Sequence, residues 1–228
     1  MTRIEIVQRA LDALGGQRYL ELGVKDGACF DVVEATTKVA VDPRFAFRVP
    51  VLARARTALG ARSGMLYFPT TSDAFFARHG ERLAPFDVIF VDGLHTYEQA
   101  YRDVRNALAV LRPEGVVLVH DCNPQTAAAA APSLAEAART EGFGGDWNGD
   151  VYRAIVRLRT DDGLDVSVLD TDQGVGVVTR GTQGWRVALT VDEIEQLGYA
   201  ELDSDRVPLL GLRPASDLGE LLVRRAGH

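Results

Sequence analysis

Between Arg18 and Pro43 the chain runs through a short apolar segment, an acid, a glycine turn, a longer stretch, and a second apolar segment that again ends in an acid. The first segment is Tyr19-Leu20-Glu21-Leu22-Gly23, with Gly27 closing the turn, and the second is Val39-Ala40-Val41-Asp42-Pro43. Glu21 and Asp42 are 42 − 21 = 21 positions apart. In a strand–helix–strand unit, that spacing puts both carboxylates at the carboxyl ends of adjacent parallel strands, where open α/β sheets bind ligands. Asp42 is then placed to hold the two hydroxyls of a ribose. The stretch predicts a nucleoside-bearing cofactor.

The glycine pattern narrows the cofactor. A dinucleotide site uses G-x-G-x-x-G so that backbone can approach a pyrophosphate. Here the loop is Glu21-x-Gly23-x-x-x-Gly27, with an acid where a dinucleotide site has its first glycine. A carboxylate repels a pyrophosphate and attracts an ammonium. The pattern resembles the first motif of the class I S-adenosylmethionine-dependent methyltransferases, and it disfavours NAD. The alternative is a tight strand-to-helix turn that holds nothing.

The rest of the chain reads as alternating strands and helices. Helical periods cover Ile4 to Leu14, Ala28 to Ala35, Pro50 to Leu59, Ser72 to His79, Tyr97 to Leu111 and Val151 to Leu158. Strands are expected at Tyr19 to Leu22, Val39 to Val41, Met65 to Phe68, Phe86 to Asp92 and Gly115 to His120, with Arg112 to Gly115 as a turn. Such alternation gives a parallel sheet with right-handed crossovers. Asp165 to Leu169 and Gly174 to Thr179 read as a hairpin around Asp172. Ala127 to Ala138 reads as helical on either side of Pro132 and weakly packed, and Gly142 to Gly149 as a mobile glycine-rich loop holding Trp147. The expected fold is Rossmann-like α/β: a mainly parallel seven-stranded sheet ending in an antiparallel hairpin, with helices on both faces. Residues 1–180 are expected to form the cofactor-binding domain. Residues 181–228 are expected to form a helical extension packed on it.

At 228 residues the chain can bury a sizeable core. A net charge of −7 argues against a nucleic-acid footprint, which needs a basic face. No apolar run approaches the ~20 residues needed to span a bilayer, and Met1 to Gln8 has no signal-peptide core. Cys29 and Cys122 form neither a disulfide framework nor a zinc spacing. A reduced cytoplasmic setting is the default. Only two lysines stand among 25 basic residues and alanine is abundant, which suggests a GC-rich bacterial genome.

Three further segments carry chemistry. They are Val91-Asp92-Gly93-Leu94-His95-Thr96-Tyr97-Glu98, Leu118-Val119-His120-Asp121-Cys122-Asn123-Pro124, and Trp147-Asn148-Gly149-Asp150-Val151. Together they resemble a subgroup of small-molecule O-methyltransferases within the same class, over roughly Arg18 to Arg180. The resemblance implies that Glu21, Gly23, Gly27, Asp42 and Asp92 line the S-adenosylmethionine site. It also implies that Ser72 and Asp73 lie against the adenine, with Asp73 accepting from its amino group. In metal-dependent members two acids at these strand tips hold Mg²⁺, which here implies Asp92 and Asp121. Their third ligand directly follows the second acid; here that place is Cys122, a poor magnesium ligand, with Asn123 one position further on. The metal-free alternative is a histidine base, His95 or His120.

These readings imply methyl transfer to an oxygen of a small molecule, such as a sugar or secondary metabolite, by a protein acting alone or as a homodimer. An N-methyltransferase or other S-adenosylmethionine-fold transferase stays open, with Asp146 and Asp150 able to face a cationic acceptor. A non-catalytic cofactor-binding domain is the other class.

Overall fold

The computed structural model describes residues 1–223. It places an eight-stranded sheet between two apolar layers. The strands are β1 (Arg18–Leu22), β2 (Thr37–Val41), β3 (Gly64–Phe68), β4 (Phe86–Val91), β5 (Leu111–Val119), β6 (Leu164–Leu169), β7 (Val175–Arg180) and β8 (Leu212–Arg213). Their order is β3-β2-β1-β4-β5-β7-β6-β8. The first five are mutually parallel, and β7 is antiparallel to both β5 and β6. β1, β2 and β4 are buried on both faces, as a sheet with helices on each side requires.

Helix α1 (Arg3–Leu14) packs one layer through Ile6, Val7, Ala10 and Leu11. After it come α2 (Val51–Ala58), α3 (Ser72–Phe75), a π turn over Phe76–Gly80, and α4 (Glu81–Leu83). Helices α5 (Tyr97–Val110) and α7 (Val151–Leu158) pack together in the other layer, with the short α6 (Leu134–Ala137) between them in sequence. The C-terminal part adds α8 (Val191–Glu195), α9 (Tyr199–Ser204), α10 (Arg206–Leu210) and α11 (Leu218–Val223). Among the described residues no helix is long and apolar enough to cross a membrane.

The structure departs from the sequence-based expectation in four places. The sheet has eight strands, not seven, because Leu212 and Arg213 add a two-residue parallel strand beside β6. The C-terminal extension is therefore not purely helical, and α11 buries Leu218, Leu221 and Leu222 in the layer of α1; residues 224–228 lie outside the described residues. The turn expected at Arg112–Gly115 lies inside β5 as a bulge, where Asp87 alone on β4 faces those four residues. The alanine-rich stretch is helical only after Pro132, at Leu134–Ala137; before it Ala128 to Ala131 are buried in turns rather than in a weakly packed helix. Small side chains let its carbonyls reach the next loop.

The fourth departure is Ala28 to Ala35, which forms turns instead of a helix. Buried Lys38 explains it. The Lys38 ammonium donates to the carbonyls of Phe30 and Val33 (2.8 Å to the latter), oxygens a helix would use internally. Burial lowers the pKa of this ammonium. Lys38→Met should leave those carbonyls without a donor and cost about 1–3 kcal/mol, read as a lower urea midpoint with an unchanged slope.

Candidate active site

Four neighbouring strands, β2, β1, β4 and β5, bring Asp42, Glu21, Asp92 and Asp121 to one edge of the sheet. Asp42 and Asp92 follow their strands directly, Asp121 comes one residue further on after His120, and Glu21 is the penultimate residue of β1. Strands lie ~4.8 Å apart, so three spacings span about 14 Å, the scale of a nucleoside with an amino-acid arm. One cavity of about 850 Å³ joins all four acids, and its walls include Gly23, Ser72, Asp73, His95, His120 and Trp147.

The loop after β1 is held tightly. Gly23 has φ +86°, and a Cβ there would lie 1.9 Å from the Asp92 carbonyl oxygen, so only glycine lets the β1 and β4 tips touch. Gly27 also has a positive φ, +84°. Asp42 accepts from the backbone N–H groups of Lys25 (2.8 Å) and Arg44 (2.7 Å). Those bonds orient a half-buried carboxylate at the cavity wall and leave it lone pairs for two more donors. Ser72 and Asp73 line the cavity too, but both face α5. Ser72 accepts from Gln99 at 3.1 Å, and the exposed Asp73 accepts from Arg102 at 2.9 Å.

At the β4 and β5 tips two carboxylates and two imidazoles alternate round a ring. His95 Nε2 lies 3.6 Å from Asp92 Oδ1 and 3.3 Å from Asp121 Oδ2. His120 Nδ1 closes the ring at 3.1 Å from Asp121 and 3.6 Å from Asp92. Outer contacts fix each member. His95 Nδ1 donates to the Trp147 carbonyl at 3.0 Å, which leaves Nε2 as the working nitrogen. The Trp147 ring stacks on the imidazole with centroids 5.2 Å apart. Asp121 accepts from Asn148 Nδ2 at 2.9 Å and has φ +62°, a strained conformation of the kind that collects at functional sites. Arg3 lies 3.1 Å from His120 Nε2. Burial works against a charged His120, but hydrogen bonds to Asp121 and Asp92 outweigh it and raise its pKa to about 10, so Nδ1 carries the proton that faces Asp121.

Charge follows from this geometry. Burial works against the Asp92 charge, but hydrogen bonds from His120 and His95 outweigh it and hold its pKa at about 2. Burial likewise works against a charged His95. The hydrogen bond to Asp92, the charge of Asp121 and the Trp147 carbonyl outweigh it and raise the pKa above the usual histidine value. His95 is thus a stronger base than a free imidazole, with its lone pair confined to the cavity.

The third oxygen ligand of the metal-dependent pattern is missing here, although Asp92, His95 and Asp121 turn donor atoms to within 4.8 Å of one another and two carboxylates with waters can hold Mg²⁺. The left-handed turn at Asp121 sends Cys122 inward, where its thiol lies 3.2 Å from the Val119 carbonyl. Asn123 is turned away: its nitrogen donates to Asp170 (3.0 Å) and its oxygen accepts from Arg206 (2.6 Å). Two oxygens, from Asp92 and Asp121, remain, with imidazole nitrogens beside them.

The loop over the ring is anchored at one end. The N–H groups of Asn148 and Gly149 donate to the Ala129 carbonyl at 2.9 and 3.0 Å, and Trp147 Nε1 donates to Ala131 at 2.7 Å. By contrast Gly142, Gly144 and Gly145 have nothing within 4 Å of a virtual Cβ. A free tip on a fixed base suits a lid. Hydrogen exchange over Gly142–Asp150 should slow when cofactor and acceptor are bound together; equal protection with and without them removes the lid role.

Several site residues are not legible in the sequence. Arg3, Asp172 and Gln173 reach the cavity from α1 and the β6–β7 turn. The Arg3 backbone N–H bonds to Asp172 and so joins chain positions 169 residues apart, a contact without local signal. Tyr19 could have been found: it lies two residues before Glu21, hence on the same strand face.

Residues 20–122 match a family model described as a methyltransferase domain. Over that stretch the chain is similar to this family. The stretch runs from within β1 to just past β5 and contains all four strand-tip acids. No curated protein sequence matches the chain. Solved structures share its fold. A Klebsiella pneumoniae protein assigned as an O-methyltransferase is 15% identical, with a TM-score of 0.55 over 79% of this chain and 80% of its own. The O-methyltransferase of Bacillus cereus, solved in complex with SAH, is 14% identical, with a TM-score of 0.54 over 78% of this chain and 80% of its own. A Staphylococcus aureus protein assigned as a caffeoyl-CoA O-methyltransferase gives 13% and 0.53, over 78% and 82%. At such identities the likeness is one of fold.

Proposed function

We propose that the chain is a methyltransferase that takes its methyl group from S-adenosylmethionine and gives it to a hydroxyl of a small polar molecule, with His95 as the base. One observation carries the reading: a single cavity joins Glu21, Gly23 and Asp42 to the Asp92–His95–Asp121–His120 ring. Bound S-adenosylmethionine supplies an electrophilic methyl on a sulfonium. Asp42 holds the ribose hydroxyls, Glu21 faces the amino-acid arm, and Gly23 lets the backbone come close. Asp92, at the junction, faces both halves. The SAH complex of the Bacillus cereus protein supports the same cofactor.

At the acceptor end Trp147 offers a flat face, and His95, Asp121 and Asn148 offer polar groups, a combination suited to a sugar or similar polyol. His95 Nε2 takes the hydroxyl proton as the oxygen attacks, and the two carboxylates stabilise the imidazolium that results. His120 keeps its proton and holds Asp121 in place. Donor and acceptor are fixed in line, which removes most of the entropic barrier. The position of the third metal ligand is taken by Cys122, turned inward, and Asn123 is bonded to Asp170, which favours His95 as the proton acceptor. Of the two acids that the N-methyl alternative rests on, Asp150 is already paired with the Tyr97 N–H and with Arg153, which leaves Asp146 in the cavity wall. Two free, buried thiols suit a bacterial cytoplasm, and the chemistry suits secondary metabolism; a homodimer is compatible with both.

The test is tritiated-methyl transfer from S-adenosylmethionine into a fractionated small-molecule extract, with and without EDTA. The expected product is an EDTA-insensitive methyl ether. Label in an amine, or activity abolished by EDTA and restored by Mg²⁺, contradicts this reading.

A further inference from the structure

Glu21 stands in the cavity wall at 2% exposure, and its partners differ from those expected of a simple cofactor contact. Its Oε2 accepts from the Tyr19 hydroxyl at 2.5 Å, and that tyrosine is fully buried on the same face of β1. Tyr19 also lies 3.6 Å from the Cys29 thiol and stacks on Phe30. Among the described residues no cation forms an ion pair with Glu21. Lys38, on neighbouring β2, is bound to carbonyls of the following loop, and Arg3 is turned to His120 and Asp172. From β4 the facing group is Asp92, which carries negative charge. A buried carboxylate among an acid, a phenol and a thiol, with only the distant charge of Lys38 to offset it, is poorly balanced until an ammonium arrives.

We propose that cofactor capture is proton-coupled: Glu21 carries a proton in the cofactor-free protein and releases it to solvent as the cofactor's ammonium binds, with Tyr19 as the residue that positions the carboxylate for this exchange. The proposal rests on the S-adenosylmethionine reading above and adds the charge state of its site. The balance is one carboxylic acid plus one ammonium going to a carboxylate–ammonium pair plus one proton in solvent. Burial, opposed by the Tyr19 hydrogen bond and reinforced by Asp92, raises the Glu21 pKa to about 8, so at pH 7 the neutral form dominates. The Tyr19 hydroxyl can donate to either form, and it favours the ionised one. It therefore eases the release without holding a charge itself. Affinity should rise with pH toward 8, by at most tenfold per unit, and then level off.

Calorimetric titration with S-adenosylhomocysteine at pH 7, in buffers of different ionisation enthalpy, gives the number of protons released. The expected value is roughly 0.9 per cofactor for a group that titrates one unit higher. Glu21→Gln should abolish that share, and any protons shed by His95 or His120 remain in both proteins, so the difference isolates Glu21. Tyr19→Phe should move the midpoint of the affinity–pH curve upward, which loss of packing alone would not do. Binding without proton release, or equal release by wild type and Glu21→Gln, overturns the coupling alone. Absence of S-adenosylhomocysteine binding at every pH overturns the cofactor assignment and the coupling with it.

Discussion

His95→Ala is expected to slow methyl transfer by about 10²–10⁴-fold while leaving S-adenosylhomocysteine affinity within a factor of a few. The ring geometry sets that split. His95 Nε2 is the imidazole nitrogen that lies between the two carboxylates, 3.6 Å from Asp92 and 3.3 Å from Asp121, and it gains and loses its proton there because Nδ1 is held by the Trp147 carbonyl. The proposed cofactor contacts lie mainly on other strands, at Glu21 and Asp42, with Asp92 shared between the two halves. The pH–rate profile of the wild type should rise in one step. Because Asp92 and Asp121 stabilise the imidazolium, that step should fall above the unperturbed ~6.5 of histidine. Asp121→Asn removes one of the two charges and should shift the step toward lower pH. A variant that keeps full activity without His95, or a profile flat across this range, contradicts base catalysis at this nitrogen.

Gly149→Ala is expected to cost about 10²-fold in rate. The cause is steric. Gly149 has φ +66°, and a Cβ there would lie 1.8 Å from the His95 carbonyl oxygen and 2.9 Å from its Cβ. Neither backbone can yield alone, because the Gly149 N–H is bonded to Ala129 and His95 is bonded to Trp147. The loop must lift, and it takes with it the Trp147 carbonyl that orients the imidazole and the Asn148 amide that holds Asp121. Cofactor binding should change little. Gly144→Ala serves as a control, since it meets open space and has no positive φ. Equal rates for both variants would remove the claim that this contact sets the ring.

What the sequence revealed was what local pattern encodes. Short apolar runs ending in acids mark the β1, β2, β4 and β5 tips, because strand burial and ligand position are both properties of a few adjacent residues. The ring was half legible. Asp92 and His95 are three residues apart, and His120 and Asp121 are adjacent, but only the parallel pairing of β4 with β5 brings the pairs together. Other features needed the folded chain. Lys38 removes a helix by capturing carbonyls five and eight residues away, against a helical period that is present in the sequence. β8 is too short to leave a pattern. Arg3 meets His120 across 117 residues. The buried alanines look like a weak helix until the loop that docks on their carbonyls is in place.

The most direct measurement is calorimetric titration with S-adenosylhomocysteine and, separately, with NAD. Glu21-x-Gly23-x-x-x-Gly27 with Asp42 at the next strand tip is expected to bind S-adenosylhomocysteine in the micromolar range, on the order of −8 kcal/mol, in the presence of EDTA. Asp42→Ala should weaken it by about 1.5–3 kcal/mol, the worth of hydrogen bonds to a charged group, and NAD should give no heat. Tight NAD binding with no S-adenosylhomocysteine binding would contradict the account at its base.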